Sequence, residues 1–347
     1  MIGAPALDTD SVILVNEYRA QQAKAAHDYE EAIRYSAIAR DAALGQDDKW
    51  AFFRSSFNIA HYEYALGRMD DCIRTVEALV GHPTITEYPE LIAQGRILLA
   101  HALQDSGASE RAFVAVEQAS SVITDKSGQL RLKAQFSVVS TLAEKGEVEA
   151  AWREAVILDD LIGPESAAKV RGMAYWTIGN AGFMSGRVEE GKQYHLRAAT
   201  ALAAVGDVNL WALFNKAAAN MRIEAGILDE ETAEYLERAE VAISVSEGSP
   251  VEKLEILLAR AHWEYATGDP GVAERSLRNV AEKARGTFPY IHAQAYQLLA
   301  SCLLQLGRTE EAKRIALETE QMLEESGATE RLSQMRKVLD SILQDRK

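Results

Sequence analysis

The sequence of 347 residues predicts an all-α fold, a solenoid of about eight antiparallel helix pairs closed by a C-terminal helix. A short turn motif recurs about every 40 residues along nearly the whole chain, and repeats of roughly 20–50 residues are typical of stacked structural units. Only seven prolines occur, while Ala, Leu, Glu and Arg, which favour helix, recur throughout. Small residues flank the motif at fixed distances, which indicates close packing within each pair.

Each copy of the motif has a Gly followed by an acidic stretch that ends near an Ala. Gly adopts the left-handed backbone conformation that ends one helix, and acids in the first turn of the next helix interact favourably with the helix dipole. Asp269 followed by Pro270 is the clearest helix start, an N-cap before a Pro at the first helical position. The turns are expected, at intervals of 39 to 42 residues, at His27, Gly67, Gly107, Gly146, Gly186, Gly226, Gly268 and Gly307.

Small side chains seven residues before and five residues after each turn predict where the two helices of a pair approach each other. After Gly226 the fifth residue is Glu231, and a two-residue slip would bring Ala233 into register. The preceding positions are Ala60, Ala100, Val139, Gly179, Ala219, Ala261 and Ala300. The following positions are otherwise Cys72, Ala112, Ala151, Gly191, Ala273 and Ala312.

The breaks between pairs are short, and the longest, at 81–89, contains two prolines. No Pro- or Gly-rich linker divides the array, so we expect a single domain over 1–347. A last amphipathic helix at about 329–344 is expected to cap the stack, because solenoids need a terminal element with a polar outer face.

The motif resembles the tetratricopeptide repeat, most closely at 27–32 and 307–312, where it approaches Gly-Asp-Tyr-x-Glu-Ala. The resemblance covers about residues 9 to 326 and implies a right-handed superhelix whose concave side is made by the first helix of each pair. The period of about 40 exceeds the usual 34 residues, and the early Trp and late Pro are mostly absent. The longer repeat resembles the sensor arrays of MalT-like activators and of peptide-receiving RRNPP regulators, which implies bacterial regulation, transcription regulation or signalling.

The formal charge of −15, from 52 acids and 37 bases, argues against direct contact with nucleic acid or anionic membranes. Two cysteines and the absence of a signal peptide or an apolar run of about 18 residues favour the cytoplasm. No helix-turn-helix fits ahead of the first repeat. If the protein regulates transcription, the DNA-reading domain is therefore expected on a partner or on a part of the protein outside this sequence.

No motif predicts catalysis, a cofactor or a metal. The segment 186–193 has phosphate-loop spacing up to Lys192, but Gln193 stands where Ser or Thr would hold magnesium, and the segment coincides with a repeat turn. No two of the seven histidines lie within four residues of each other, so a zinc site would need ligands from several repeats. We therefore expect a protein that is not an enzyme.

The candidate binding surface is a polar column six residues before each turn, on helices that are otherwise rich in apolar residues. Asparagine offers both a donor and an acceptor, and the resemblance implies that Asn180 and Asn220 hold the backbone of an extended peptide in a concave groove. The column consists of His61, His101, Ser140, Asn180, Asn220, His262 and Ser301.

Residues ten, three and two positions before the turns add an aromatic and Met-rich patch in the middle of the array. The patch contains Phe136, Trp176 and Phe183, with basic groups at Arg54 and Lys216 nearby. Such side chains could anchor a ligand, or they could pack between neighbouring helices.

These features predict a non-catalytic binding or sensor module that captures a short peptide or protein segment in its groove. Two alternatives remain, a regulatory domain that encloses a small effector near Trp176 and Phe183, and an assembly scaffold that uses its outer faces. The alternatives stay open because fold alone does not fix function, and a homodimer is compatible with each of them.

The Lys192→Ala variant tests the phosphate-loop resemblance. We expect the substitution to leave nucleotide affinity unchanged, because the segment belongs to a helix-to-helix turn. Isothermal titration calorimetry with ATP checks this, and tight binding that disappears in the variant would contradict both this prediction and the non-enzymatic assignment.

Overall fold

The computed structural model describes residues 9–123, 128–246, 248–326, 336 and 339, and over these ranges the chain is helical without a β-strand. The all-α solenoid prediction is thereby confirmed. Sixteen α-helices, α1 to α16, lie in these ranges: Thr9–Ala25, Tyr29–Gly45, Lys49–Ala65, Met69–Val80, Pro89–Asp105, Ser109–Val122, Gly128–Glu144, Val148–Asp160, Ala168–Met184, Val188–Ala203, Val208–Glu224, Glu230–Val245, Pro250–Ala266, Pro270–Ala284, Pro289–Gln305 and Thr309–Ser326.

Every predicted turn residue has a left-handed backbone conformation. The φ angles run from 58° at His27 to 90° at Gly268, and the other six turn glycines lie between 72° and 77°. At Gly67 the amide donates to the carbonyl of Tyr64 at 2.9 Å, and the next amide, of Arg68, reaches back to Glu63 at 2.9 Å. These two bonds close the helix end and turn the chain into the next helix.

The small residues on either side of the turns are buried as expected. Ala60, Ala100 and Ala219 have no exposed surface, and neither do Cys72, Ala112 and Ala312 on the second helices. The repeat after Gly226 differs from the prediction that Ala233 would take the small buried position. Thr232 is buried there instead, and Ala233 is partly exposed. The Thr232 hydroxyl donates to the Ile227 carbonyl at 3.0 Å, which lets a polar side chain occupy that position.

The chain forms two compact units, Met1–Arg187 and Val188–Lys347, which meet in sequence at the fifth turn. The single domain over 1–347 stays a prediction. In the first unit the odd-numbered helices α3, α5, α7 and α9 contact each other in succession, and each also packs on its neighbouring even-numbered helix. In the second unit α11, α13 and α15 form the same kind of layer. The first helices of the pairs therefore make a continuous surface within each unit.

The long break at 81–89 contains a 3-10 helix, Pro83–Glu87, whose Ile85 is buried against Phe53 and Leu91. The predicted capping helix at about 329–344 falls outside the described residues except for Arg336 and Leu339. Leu339 belongs to the apolar core of the second unit. Arg336 binds Glu320 at 2.7 Å and Glu324 at 2.6 Å.

A polar cluster around a buried arginine joins α11 and α12 within the second unit. The guanidinium of Arg222, which has no exposed surface, binds Asp229 at 3.0 Å, Glu231 at 2.7 Å and the Thr232 hydroxyl at 2.8 Å. Burial opposes ionisation of Asp229, but the hydrogen bonds from Arg222 and Thr232 outweigh it and lower the pKa of Asp229 to about 2. The arginine thereby fixes the start of α12, where the repeat is irregular.

His195 lies in the same region and is fully buried, with its ring edge-to-face on Phe214 at 5.9 Å. Burial, reinforced by the charge of Arg222, lowers the pKa of His195 to about 3. The unfolded state therefore binds a proton at this residue from about pH 6.5 downward while the folded state does not. This residue stabilises the fold above that pH, and its contribution is lost as the pH falls toward 3.

The His195→Gln variant should show a weaker loss of stability in acid than the wild type. Between pH 7.5 and 5.0 the free energy of unfolding should fall by about 2 kcal/mol more in the wild type than in the variant. This figure follows because a difference of one bound proton between the unfolded and folded states changes that free energy by about 1.36 kcal/mol per pH unit. Urea unfolding at the two pH values measures the difference. His27→Asn, an exposed position with a left-handed backbone, is the control and should keep the wild-type dependence. Equal pH dependence in all three proteins would contradict the assignment.

Candidate functional site

In each unit, a groove lies on the surface made by the first helices of its pairs. Every described lining residue of both grooves lies on an odd-numbered helix. Many of these residues stand at the predicted distances of ten, six or three residues before a turn. Part of the predicted register therefore lies in these two grooves, and the role of its residues in binding stays a proposal.

The groove of the first unit, here the unit-1 groove, has a volume of about 510 Å³. Its apolar residues come from α3, α5, α7 and α9, and polar groups stand between them. It brings together three predicted site residues, His61, His101 and Phe136. The other lining residues that matter below are Lys24, Phe57, Asn58, Gln94, Ile97, Lys133 and Met173.

The two histidines of the unit-1 groove have different environments. His101 is held by Ser137, whose Oγ lies 2.9 Å from Nε2 and itself donates to the Lys133 carbonyl at 3.2 Å. Burial lowers the pKa of His101, which keeps the ring neutral at pH 7. His61 is more exposed and stands edge-to-face with Phe57 at 6.4 Å. Partial burial and the charges of Lys24 and Lys133 lower the pKa of His61.

The groove of the second unit, here the unit-2 groove, has a volume of about 390 Å³ and a more polar lining from α11, α13 and α15. It brings together three further predicted site residues, Lys216, Asn220 and His262. The remaining polar lining residues are Glu224, Glu255, Tyr290, Gln294 and Gln297.

Charge is compensated in the unit-2 groove. The Lys216 ammonium forms an ion pair with Glu255 across α11 and α13, and both side chains are largely buried. Gln294 donates to the Tyr290 hydroxyl at 3.0 Å. Burial lowers the pKa of His262, so that the imidazole contributes hydrogen bonding without charge at neutral pH.

Four predicted site residues lie outside these two linings. Asn180 and Trp176 are half-buried on α9 of the first unit. Phe183, only 6% exposed, belongs to the core of that unit and does not face a groove. Arg54 is committed to a bidentate pair with Glu17, at 2.5 and 2.6 Å, and lies over the Trp50 ring.

Sequence reasoning missed Lys24 as a lining residue, although its position follows the same rule. It stands three residues before His27, the turn residue that replaces Gly in the first repeat. Counting three residues back from His27, as was done from the turn glycines, would have identified Lys24. Asn58 and Tyr290 have no such signal, because their positions relative to the turns were not part of the predicted columns.

Other groups singled out by the sequence have structural surroundings. Lys192 pairs with Glu189 at 3.3 Å on the exposed first turns of α10. Cys72 and Cys302 are buried free thiols, and burial raises the pKa of each to about 12. Among the described residues, no three His, Cys, Asp or Glu side chains cluster as metal ligands would. No helix in the described part of the chain has the length and apolar character needed to cross a membrane.

Comparison with known proteins identifies the fold through structure and not through sequence. No protein-family model matches the sequence, and no curated protein matches it either. The relationship to known proteins is therefore carried by backbone geometry alone.

Solved structures of bacterial regulators superpose on most of the chain. The apo form of the quorum sensor NprR from B. thuringiensis matches with a TM-score of 0.70 at 14% identity, over 92% of this chain and 89% of that one. A Rap protein complexed with competence and sporulation factor matches with a TM-score of 0.58 at 13% identity, over 99% and 89%. Aspartyl phosphate phosphatase F from Bacillus subtilis matches with a TM-score of 0.60 at 14% identity, over 80% and 72%.

At these identities the similarity concerns the fold. The predicted resemblance to tetratricopeptide-like sensor arrays with long repeats is confirmed at that level. The chain has the tetratricopeptide-like α-solenoid fold found in the Rap and NprR regulators.

Proposed function

We propose that this protein is a non-catalytic regulatory module that captures a short peptide or an extended protein segment on the first helices of its repeats. The observation that carries the proposal is the placement of the polar column. His61 and His101 open into the unit-1 groove, and Asn220 and His262 open into the unit-2 groove. In both grooves, these side chains stand beside apolar residues of the same helices.

Such an arrangement suits an extended peptide. A peptide in extended form presents backbone donors and acceptors along its length, and Asn and Gln side chains can satisfy either kind. Asn220, Gln294 and Gln297 supply such groups in the unit-2 groove, while Asn58 and Gln94 supply them in the unit-1 groove. Apolar neighbours such as Phe136 and Leu258 would then select ligand side chains.

The names of the structural neighbours support a regulatory setting. NprR is described as a quorum sensor, and one Rap structure contains competence and sporulation factor. Another neighbour is named a phosphatase, so the fold does not itself decide against catalysis, and our proposal of binding without catalysis rests on this chain's residues. The small-effector alternative has less support, because Phe183, one wall of its expected pocket, lies in the core.

Asn220→Ala should weaken peptide binding without unfolding the protein. Losing the amide leaves a peptide group unpaired, which costs about 1–3 kcal/mol, or roughly 5- to 150-fold in affinity. Peptides that co-purify with the wild-type protein, identified by mass spectrometry and resynthesised, serve as ligands for calorimetry. Asn180→Ala tests the equivalent amide of the first unit separately.

Asn279→Ala is the matched control, because Asn279 is an exposed asparagine on α14, a second helix outside the groove. Its affinity should equal that of the wild type, and thermal unfolding should be unchanged in all three variants. If Asn220→Ala and Asn180→Ala both bind as tightly as the control, the surface of the first helices is not the binding surface and the outer faces become the better candidate.

A further inference from the structure

The unit-1 groove differs in charge from the rest of the molecule. The chain as a whole carries a formal charge of −15, yet the described residues that line this groove include two lysines and no aspartate or glutamate. Because acids outnumber bases in the chain, a groove with the average composition of the protein would include carboxylates in its lining. The groove is therefore a positive site on a negative protein, and such a site attracts anions.

Among the described residues, no acid pairs with either of the two lysines, Lys24 at the end of α1 and Lys133 in α7. Both are exposed, and within the described residues neither forms an ion pair or a side-chain hydrogen bond. Many of the other exposed basic groups of the chain, such as Arg68 with Glu30 and Arg111 with Glu77, are paired with acids of neighbouring helices.

The positive charges converge on one place in the groove. The pKa of His61 is lowered first by burial and then by both Lys24 and Lys133, so the two ammonium groups act on the same ring from different helices. Asp105 lies beside His101, but it accepts a hydrogen bond from the Tyr64 hydroxyl at 2.7 Å and does not line the groove. The field around His61 therefore stays positive.

An apolar surface adjoins this charge. Phe57, Ile97 and Phe136 come from α3, α5 and α7 at the same register, ten residues before their turns, and Met173 continues the surface on α9. A ligand that fits must then combine an apolar side chain with a negative group, since either feature alone would leave half of the groove unused.

The unit-2 groove provides an internal contrast. Its lysine, Lys216, is already paired with Glu255, and Glu224 adds a second carboxylate to the lining. That groove offers mainly amides and hydroxyls and has no uncompensated cation in its described lining. Charge selection is therefore a property of the unit-1 groove.

We infer that the unit-1 groove selects peptide segments in which acidic side chains accompany apolar ones, with Lys24 and Lys133 binding the carboxylates and the surface around Phe136 binding the apolar side chains. This inference rests on the proposed peptide capture and names its ligand class.

The probes for the test are three pools of random hexapeptides, blocked at both ends, with Leu and Phe fixed at two positions. The pools differ only at two further positions, which hold Glu, Gln or Lys. Equilibrium dialysis with mass-spectrometric quantification measures retention without a charged label. At low ionic strength the Glu pool should bind about 3- to 10-fold more tightly than the Gln pool, as expected for two partly screened ion pairs, and the Lys pool should bind most weakly.

The double variant Lys24→Gln/Lys133→Gln should bind the Glu and Gln pools equally while keeping the wild-type affinity for the Gln pool. The matched control is Lys253→Gln/Lys283→Gln, which removes the same charge from two exposed lysines of the second unit. It should preserve the preference for Glu.

The outcomes separate the two levels of the proposal. If the pools bind equally to the wild type, or if both double variants lose the preference alike, peptide capture stands and the acidic selection is overturned. A pool with a free C-terminal carboxylate that binds more tightly than the blocked Glu pool would assign the lysines to a chain end and also overturn it. If no pool binds, peptide capture and acidic selection fail together.

Discussion

The close approach of two helices across a left-handed turn is the constraint on which the rest of the structure depends. A residue with φ near +75°, as at Gly67 and Gly226, lets the chain reverse within a few residues. Small buried side chains such as Ala219 then allow the paired helices to meet. Because the same geometry recurs at every repeat, the first helices fall on one surface within each unit, and the register of every groove residue is counted from its turn.

The repeat after Gly226 shows how the fold accommodates a departure from the small-residue packing. After Gly226 a two-residue extension delays the start of α12 to Glu230, and the small position passes to Thr232. The buried arginine Arg222 replaces the missing packing with hydrogen bonds to Thr232, Asp229 and Glu231. Because these two carboxylates are partly exposed, the cluster keeps one side in water, which reduces the desolvation that a fully buried ion pair would suffer.

Turn positions and packing columns could be predicted from the sequence because each depends on a local requirement, a positive φ or a small volume. The groove register follows from them by counting. The burial of side chains just before a turn could not be predicted in this way. Phe183 and Met184 are adjacent, yet the first is in the core and the second is 41% exposed. Ion pairs were equally out of reach, because Arg54 finds Glu17 on another helix, a contact that depends on how neighbouring repeats stack.

The difference between positions that the fold fixes and positions that it leaves variable explains which residues can select a ligand. Residues at the turns and in the small columns are fixed by the fold, whereas many groove-lining residues, such as Lys133, Phe136 and His61, are subject to neither requirement. Charge at these positions is therefore set by whether an acid stands opposite on the next repeat. Lys216 has Glu255 opposite it, while Lys133 has no acid among the described lining residues of its groove. One repeat geometry thus yields a groove whose lysine is paired with an acid and a groove whose lysines have no ion pair within the described residues. This difference in charge, not the shared fold, is what can distinguish one peptide from another.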